Sequence, residues 1–94
     1  MLESKIERKF TVWCEANGIL ARKYTTPGRN GSPDHIFFYK GGAALIEVKQ
    51  PGKKPDPLQI VEMEILQKAG MPVAWFDNVT DAKEWLCDGF EIGR

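Results

Sequence analysis

The spacing of apolar residues predicts a helix at the start of the chain. Apolar side chains recur there every three or four positions, which places them on one face of a helix, and Gly18 follows where such a helix would end. These residues are Leu2, Ile6, Phe10, Trp13 and Cys14. Glu3 lies within the same stripe and Glu7 lies at its edge. A carboxylate beside a core-facing stripe is uncommon, so one of these acids is a candidate for a functional role.

Shorter runs of apolar residues predict four strands. The predicted strands span residues 19–25, 34–39, 43–49 and 73–76. The middle two are joined by Lys40, Gly41 and Gly42, which predicts a hairpin with a tight turn. Both faces of this hairpin are mostly apolar, so we expect the sheet to be covered on both sides.

Two further helices are predicted after the hairpin. Asp56, Pro57 and Gln59 occupy the N-cap, first and third positions of a helix that ends at Gly70. A last helix is predicted to begin near Thr80. The predicted order is therefore α-β-β-β-α-β-α, in a single α/β domain that includes all 94 residues, 1–94.

The composition narrows the possible functions. The chain has 13 acidic and 13 basic side chains, so a nucleic-acid-binding surface would have to be local. One histidine and two cysteines argue against a zinc site and against a disulfide framework. No apolar run is long enough for a membrane span and charged residues begin near the N-terminus, so we expect no membrane association and a cytoplasmic location.

The hairpin brings three charged residues to one place. If the two glycines form a two-residue turn, Asp34 faces Lys49 and Ile36 faces Glu47. Asp34, Glu47 and Lys49 then project from the same face of the sheet, at the open end of the hairpin. A register slip of one residue would separate Asp34 from the other two.

Two neighbouring acids and a lysine permit two interpretations. Asp34 and Lys49 could form a cross-strand ion pair of little energetic consequence, while Glu47 reaches solvent. Alternatively, because two acids in one site repel each other unless a cation neutralises them, Asp34 and Glu47 could bind Mg²⁺, with the backbone carbonyl of Val48 as a third ligand. Lys49 would then stabilise charge on a phosphoryl group or orient an attacking water.

The sequence Pro33-Asp34, followed by Glu47-Val48-Lys49, matches the PD-(D/E)xK nuclease motif. With its loops and its order of elements, most of the chain closely resembles the virus-type replication-repair nuclease (VRR-NUC) family. The resemblance implies a restriction-endonuclease-like core, α-β-β-β-α-β with a C-terminal helix and a mixed central sheet. It also implies an enzyme that uses Mg²⁺ or Mn²⁺ and acts on DNA, similar to phage and bacterial Holliday-junction resolvases in DNA repair. In this family, Asp34 and Glu47 resemble the metal ligands and Lys49 resembles the motif lysine.

The resemblance implies roles for two residues outside the hairpin. Glu7 resembles a first-helix glutamate that lies near the metal or its waters, with Glu3 as a rival that the helical pattern does not exclude. Gln59 resembles a glutamine that supports the site from the following helix. The alternative role of Gln59 is that of a capping-box side chain bonded to the amide of Asp56.

Basic residues cluster in the two loops near the charged end of the hairpin. Arg29 lies in the first loop, and Lys53 and Lys54 lie in the second. We expect these residues to contact DNA phosphates, together with Arg22 and Lys23 at the edge of the first loop. A solvated charged surface is the alternative for any one of them.

Several other residues are assigned to packing. His35 alternates away from Asp34 and is expected to pack or to form hydrogen bonds rather than to act as a base. Met63 and Ile65 are expected in the core beneath the second helix. The three tryptophans and Cys14 are also expected in the core, although one tryptophan could serve a dimer contact.

The sequence therefore predicts a metal-dependent endonuclease that nicks or resolves branched DNA such as four-way junctions. Symmetric cutting of a junction needs two sites related by a two-fold axis, so we expect a homodimer. Flaps or plain duplex DNA are alternative substrates. The alternative functions are a non-catalytic DNA-binding module of the same fold and a phage structural or adaptor protein.

Overall fold

The computed structural model describes residues 5–23 and 34–92, which form seven elements in the predicted order. The helices are α1 (Lys5–Ala16), α2 (Pro57–Lys68) and α3 (Val79–Phe90). The strands are β1 (Leu20–Lys23), β2 (His35–Tyr39), β3 (Gly42–Val48) and β4 (Val73–Phe76). Within the described parts of the chain, no helix has both the length and the apolar character needed to cross a bilayer.

The four strands form one mixed sheet in the order β1-β2-β3-β4. β1, β2 and β3 are antiparallel neighbours, whereas β4 lies parallel to β3. Parallel neighbours need a crossover that returns the chain to the same end of the sheet, and α2 provides that crossover. The predicted mixed α/β fold is confirmed.

The register of the β2–β3 hairpin differs from the predicted one by two residues. Ile36 pairs with Leu45 rather than with Glu47. Because successive side chains of a strand alternate between the two faces, a shift of two leaves every residue on its predicted face. The residue nearest to Asp34 across the hairpin is consequently Glu47 rather than Lys49, as a hydrogen bond between Asp34 and Glu47 shows.

The register prediction failed because it assigned Gly42 to the turn. The turn is formed by Lys40 and Gly41, whose φ angles of 46° and 86° are both positive, as a tight hairpin turn requires. Gly42 is instead the first residue of β3 and pairs with Tyr39. A Cβ atom at Gly42 would lie 3.3 Å from Cε1 of Phe90, so this glycine permits close packing of α3 against the sheet.

Each face of the sheet carries its own core, as the apolar character of both faces predicted. The larger core lies between the sheet and the helices α1 and α3, where Phe10 and Phe37 make an edge-to-face contact at 5.2 Å. The smaller core lies on the other face, where Met63 of α2 packs with Leu45 and Val73. A charged residue on β3 can therefore face α2 while its chain neighbours face α1 and α3.

The cysteines and tryptophans pack in and around these cores. Cys14 and Cys87 are buried free thiols, and burial raises the pKa of Cys14 to about 12. Cys14 is therefore protonated at neutral pH and is not poised as a nucleophile. Trp13 and Trp85 border the larger core and Trp75 borders the smaller one.

One packing prediction for α2 was wrong. Met63 is buried as expected, but Ile65 is 46% exposed. Residues two apart on a helix point about 200° away from each other, so these two cannot both face the sheet. Leu58, Val61 and Ile65 instead form an exposed apolar stripe, called here the α2 stripe.

Candidate active site

The carboxylate of Glu47 is the centre of the candidate site. Glu47 lies near the end of β3 and is 4% exposed. Its Oε1 accepts a hydrogen bond from the backbone N–H of Asp34 at 3.2 Å. Its Oε2 accepts a hydrogen bond from Nε2 of Gln59 at 3.2 Å and lies 3.4 Å from Nζ of Lys49. The fold therefore brings Asp34, Lys49 and Gln59 together on one buried carboxylate.

Burial makes the negative charge of Glu47 costly. The pKa of Glu47 is raised above its ordinary value of 4.5, first because burial removes water from the carboxylate and second because the Asp34 carboxylate repels it. The ammonium of Lys49 and the backbone N–H of Asp34 oppose this rise. A cation placed beside both acids would relieve the repulsion between them, so the electrostatics of the site favour a positively charged ligand.

Lys49 lies where the backbone leaves β3. Its backbone N–H donates a hydrogen bond to the carbonyl of Phe76 on β4 at 2.8 Å, which fixes the start of its side chain. The side chain of Lys49 is 21% exposed, so its ammonium contacts Glu47 and is also open to a molecule at the end of the sheet. The partner of Lys49 is Glu47, whereas the predicted hairpin register paired it with Asp34.

Gln59 forms the capping box that the sequence left as one alternative, and its side chain also contacts Glu47. Its Oε1 accepts a hydrogen bond from the backbone N–H of Asp56, and Oδ1 of Asp56 accepts one from the backbone N–H of Gln59, each at 2.9 Å. This reciprocal pair is a capping box at the start of α2. The amide nitrogen of Gln59 remains available and donates to Glu47. The helix cap thus orients the side chain that holds the central carboxylate.

Glu7 belongs to a second polar cluster on the opposite face of the sheet. Its Oε2 lies 3.5 Å from Nζ of Lys23 and 4.0 Å from Nε2 of His35. His35 is buried and its ring stacks on Phe37 at 6.0 Å, which matches its predicted packing role. Because His35 follows Asp34 directly, the two clusters lie back to back at the same end of the sheet. The partnership of Glu7 with Lys23 was not predicted, since it depends on the β1–β2 register that pairs Lys23 with His35.

The predicted DNA-contacting lysines lie on the loop between β3 and α2. Lys53 and Lys54 are both exposed there. The loop is tied to the end of β4, because the backbone N–H of Gly52 donates to Oδ2 of Asp77 at 3.0 Å. This hydrogen bond, followed by one from Asn78, lowers the pKa of Asp77. Sequence reasoning did not identify Asp77, because nothing local links it to a glycine in a distant loop.

The other predicted phosphate contacts lie around the first loop. Arg29 and the rival acid Glu3 lie outside the described residues. Arg22 and Lys23, at the end of β1, are both exposed. Arg22 also donates from Nη1 to the carbonyl of Ala21 at 2.8 Å, so its guanidinium lies near its own strand.

The donor atoms at the site suit a hard divalent cation. Asp34 and Glu47 offer carboxylate oxygens, and Val48, whose backbone carbonyl is the predicted third ligand, is the last residue of β3. Oxygen ligands of this kind are preferred by Mg²⁺ and Mn²⁺. In the part of the chain that the structure describes, no three Asp, Glu, His or Cys side chains gather into one metal-binding group. The candidate carboxylate ligands among these described residues are Asp34 and Glu47, whereas Glu7 lies on the opposite face of the sheet.

Comparisons with known proteins agree with this fold. No protein-family model matches the chain. The chain is 34% identical over 77 residues to the protein named "Putative nuclease p44" of Acyrthosiphon pisum secondary endosymbiont phage 1, covering 81% of this chain and 83% of the relative. It also superposes on a solved structure described as a VRR_NUC domain, with a TM-score of 0.78 and 30% identity, covering 87% of this chain and 90% of the other.

The mixed sheet, with an acid and a lysine two residues apart at the end of its third strand, is the architecture of a PD-(D/E)xK-type nuclease domain. Within that class, the sequence identity and the structural match decide the family. The chain belongs to the VRR-NUC family of nucleases.

Proposed function

We propose that the chain is a metal-dependent endonuclease that hydrolyses DNA phosphodiesters at the Glu47 site. Membership of the VRR-NUC family and the name of the phage relative support nuclease chemistry. The phage origin of that relative also supports action in the cytoplasm of a bacterial host. One observation carries the proposal: Asp34, Lys49 and Gln59 contact a single buried carboxylate, that of Glu47, at 3.2–3.4 Å.

The proposed ligands of the cation are Asp34, Glu47 and the carbonyl of Val48. When bound, Mg²⁺ or Mn²⁺ would supply Lewis-acid polarisation of the scissile phosphate and would lower the pKa of a water molecule. Gln59 keeps the Glu47 carboxylate in one orientation, because its own amide is held by the cap of α2. A ligand held by such a partner loses less freedom when it binds the cation.

In addition to the metal ion, the ammonium group of Lys49 places a positive charge of the protein near the reacting phosphate. As water attacks phosphorus, negative charge grows on the phosphate oxygens, and an ammonium group fixed near them lowers the barrier. The bond between phosphorus and the 3′-oxygen breaks, which leaves a 5′-phosphate and a 3′-hydroxyl. Lys49 could equally orient the attacking water, and both roles require an ammonium at the same place.

The remaining predicted residues support the site from its edges. Glu7 of α1, on the other side of the chain that carries Asp34 and His35, would position a metal-bound water or a second ion. Lys53 and Lys54, on the exposed loop after β3, neutralise phosphates on either side of the cut, and Arg29 has the same role in the first loop. These contacts position the DNA backbone and carry no sequence preference of their own.

A branched DNA substrate and a homodimer are part of the same proposal. One chain has one site and cuts one strand, so symmetric cutting of a four-way junction needs two chains related by a two-fold axis. The α2 stripe is the surface that we assign to this contact, since Leu58, Val61 and Ile65 are 59%, 51% and 46% exposed. α2 also carries Gln59, so dimer formation through this helix would place the two sites in a defined relation.

The test is DNA cleavage with the metal varied. Wild-type protein is incubated with supercoiled plasmid and with a four-way junction in Mg²⁺, Mn²⁺ or EDTA. We expect cleavage that stops in EDTA and that falls about 100-fold or more in Asp34→Ala and Lys49→Ala. Lys68→Ala, a change of an exposed lysine in the last turn of α2, serves as the control that retains wild-type cleavage. Equal cleavage by wild type and both site variants would contradict the assignment of the active site to Glu47 and its neighbours.

A further inference from the structure

A basic groove opens between α1 and α3, away from the Glu47 site. Its volume is about 550 Å³, within the range of about 300–1,000 Å³ typical of ligand sites. It is lined by Lys5, Arg8, Lys9, Val12, Trp13, Val79 and Lys83. Lys9 lies about 200° around α1 from Glu7, so the groove and the Glu7 cluster occupy different flanks of the same helix.

The charge of this groove is one-sided. Among the residues that the structure describes, four of the seven that line the groove are basic and none is acidic, although the whole chain balances 13 basic residues against 13 acidic ones. Within the described structure, none of the four forms an ion pair with a carboxylate. Mutual repulsion among clustered cations is unfavourable, so the arrangement is complementary to an anionic ligand.

The floor of the groove is apolar. Val12 and Val79 contribute aliphatic surface, and Val12 is 59% exposed. Trp13 contributes an indole ring, over which the ammonium of Lys83 lies at 5.3 Å from the ring centroid. The groove thus combines an apolar and aromatic floor with cationic walls, which is the combination that binds unpaired nucleotides.

We infer that the basic groove binds a single-stranded segment of the DNA on which the Glu47 site acts, an assignment that rests on the proposed function. Lys5, Arg8, Lys9 and Lys83 contact the phosphates, and a nucleoside lies against Val12, Trp13 and Val79. A paired base cannot reach this floor, because its faces are stacked between neighbouring base pairs. A duplex would use the cations alone, so an unpaired tail gains contacts that a blunt end lacks.

The experiment measures binding separately from cleavage. Fluorescence anisotropy is recorded for Asp34→Ala protein with a blunt duplex, the same duplex with a single-stranded tail, and a deoxynucleoside monophosphate. The groove variant in this background is Lys9→Gln with Lys83→Gln. The matched control is Lys40→Gln with Lys68→Gln, which removes the same charge at exposed positions outside the groove. Thermal melting confirms that each variant is folded.

We expect the tail to strengthen binding by about tenfold or more, and the groove variant to lose that gain. The slope of log Kd against log salt concentration should fall by about 1.4 in the groove variant, since each phosphate contact to a single strand contributes about 0.7. The control should keep both the gain and the slope. If the groove variant melts early, Lys5→Gln with Arg8→Gln tests the same walls at exposed positions of α1 and should behave alike.

Three results would overturn this assignment. The first is the absence of a tail effect specific to the groove: either the tail does not strengthen binding, or the groove variant and the control lose the same affinity. The second is a deoxynucleoside monophosphate that binds as tightly as the tailed duplex does, which would indicate a small-molecule site. The third comes from a parallel assay in which vesicles of an anionic phospholipid replace the DNA: groove-dependent binding to the vesicles, with no effect of the groove variant on binding of the tail, would indicate a membrane surface.

The inference and the proposed function can fail separately. Cleavage of a blunt duplex by otherwise wild-type protein carrying the groove changes would preserve the nuclease proposal even if tail binding did not depend on the groove. Conversely, if no DNA is cut under any condition but tail binding still falls in the groove variant, the groove assignment stands without the nuclease.

Discussion

The side chain of Gln59 donates a hydrogen bond to the carboxylate of Glu47 over 3.2 Å, while its carbonyl oxygen closes the capping box of α2. The backbone N–H of Asp56 can only donate, so it fixes which end of the Gln59 amide faces Glu47. One residue therefore stabilises a helix end and orients the central acid of the site. Because the two hydrogen bonds use different ends of the Gln59 amide, a mutation can remove one of them and retain the other.

Gln59→Glu should lower DNA cleavage more than stability, whereas Asp56→Ala should lower stability more than cleavage. A glutamate at the third helical position still accepts the hydrogen bond of the cap, but it places a second carboxylate against Glu47 and loses the donor. We expect cleavage by Gln59→Glu to fall about 10- to 100-fold, the usual effect of losing a partner of a metal ligand. Asp56→Ala should lose about 1 kcal/mol of unfolding free energy and retain most of its activity.

The measurements for this pair are urea denaturation in EDTA and plasmid cleavage in Mn²⁺. Gln59→Leu, which loses both hydrogen bonds, should be impaired in both assays. If Gln59→Glu cut DNA as well as wild type, the hydrogen bond to Glu47 would have no part in the reaction.

The raised pKa of Glu47 predicts a pH dependence of stability in metal-free protein. A carboxyl group whose folded pKa is raised releases its proton from the unfolded chain first, near the ordinary value of 4.5. Its contribution to stability is therefore full below pH 4.5 and falls as the pH rises through the folded pKa. We therefore expect the unfolding free energy of wild type, minus that of Glu47→Gln and measured in EDTA, to decrease as the pH rises from 4.5 through the folded pKa of Glu47.

Mn²⁺ should reverse this trend in wild-type protein. At the proposed site the cation would bind the ionised carboxylate, so we expect its stabilising effect to grow as the pH rises and to be weak where Glu47 is protonated. Thermal melts at several pH values, with Mn²⁺ or EDTA, report this directly. A stabilisation by Mn²⁺ that is independent of pH, or equally large in Glu47→Gln, would show that the cation binds elsewhere.

Val61→Glu on α2 should convert a dimer to a monomer. Val61 is 51% exposed at the middle of the α2 stripe, and a buried charge at a subunit contact is strongly unfavourable. We expect light scattering to give twice the 10.6 kDa chain mass for wild type and the chain mass for the variant. Val12→Glu, which changes a 59% exposed valine of α1, is the matched control and should remain dimeric.

In Val61→Glu, the two cuts in a four-way junction should then occur independently of each other. The variant should still nick plasmid, because each chain has a complete site, but should no longer cut both strands of a four-way junction in one encounter. A wild-type protein that is monomeric at assay concentrations would contradict the homodimer without contradicting nicking.

Gly42→Ala should destabilise the fold through Phe90. The added Cβ atom would lie 3.3 Å from Cε1 of that ring, so the ring must shift at a cost of about 1 kcal/mol. Phe90→Leu removes the ring and leaves space, so the double variant should be more stable than the sum of the two single effects predicts. Urea denaturation of the four proteins completes the cycle. Additive effects would show that contact with the Phe90 ring is not the reason for the destabilisation.

The order of elements, the capped start of α2 and the face on which each hairpin residue lies could all be predicted from the sequence. These properties depend on local spacing: period two for strands, about 3.6 for helices, and the cap chemistry of Asp56, Pro57 and Gln59. The acids Asp34 and Glu47 could be placed on one face because a register shift of two preserves the alternation.

The contacts between side chains from distant parts of the chain could not be predicted in this way. The hairpin register follows from the turn at Lys40 and Gly41, which leaves Gly42 in β3, where it lies close to Phe90 of the last helix. The same holds for Glu7, whose partners Lys23 and His35 are brought together by strand pairing rather than by spacing along α1. Exposure of Ile65 and the one-sided charge of the basic groove also depend on how helices pack on the sheet, because burial and charge complementarity are properties of surfaces that distant segments build together.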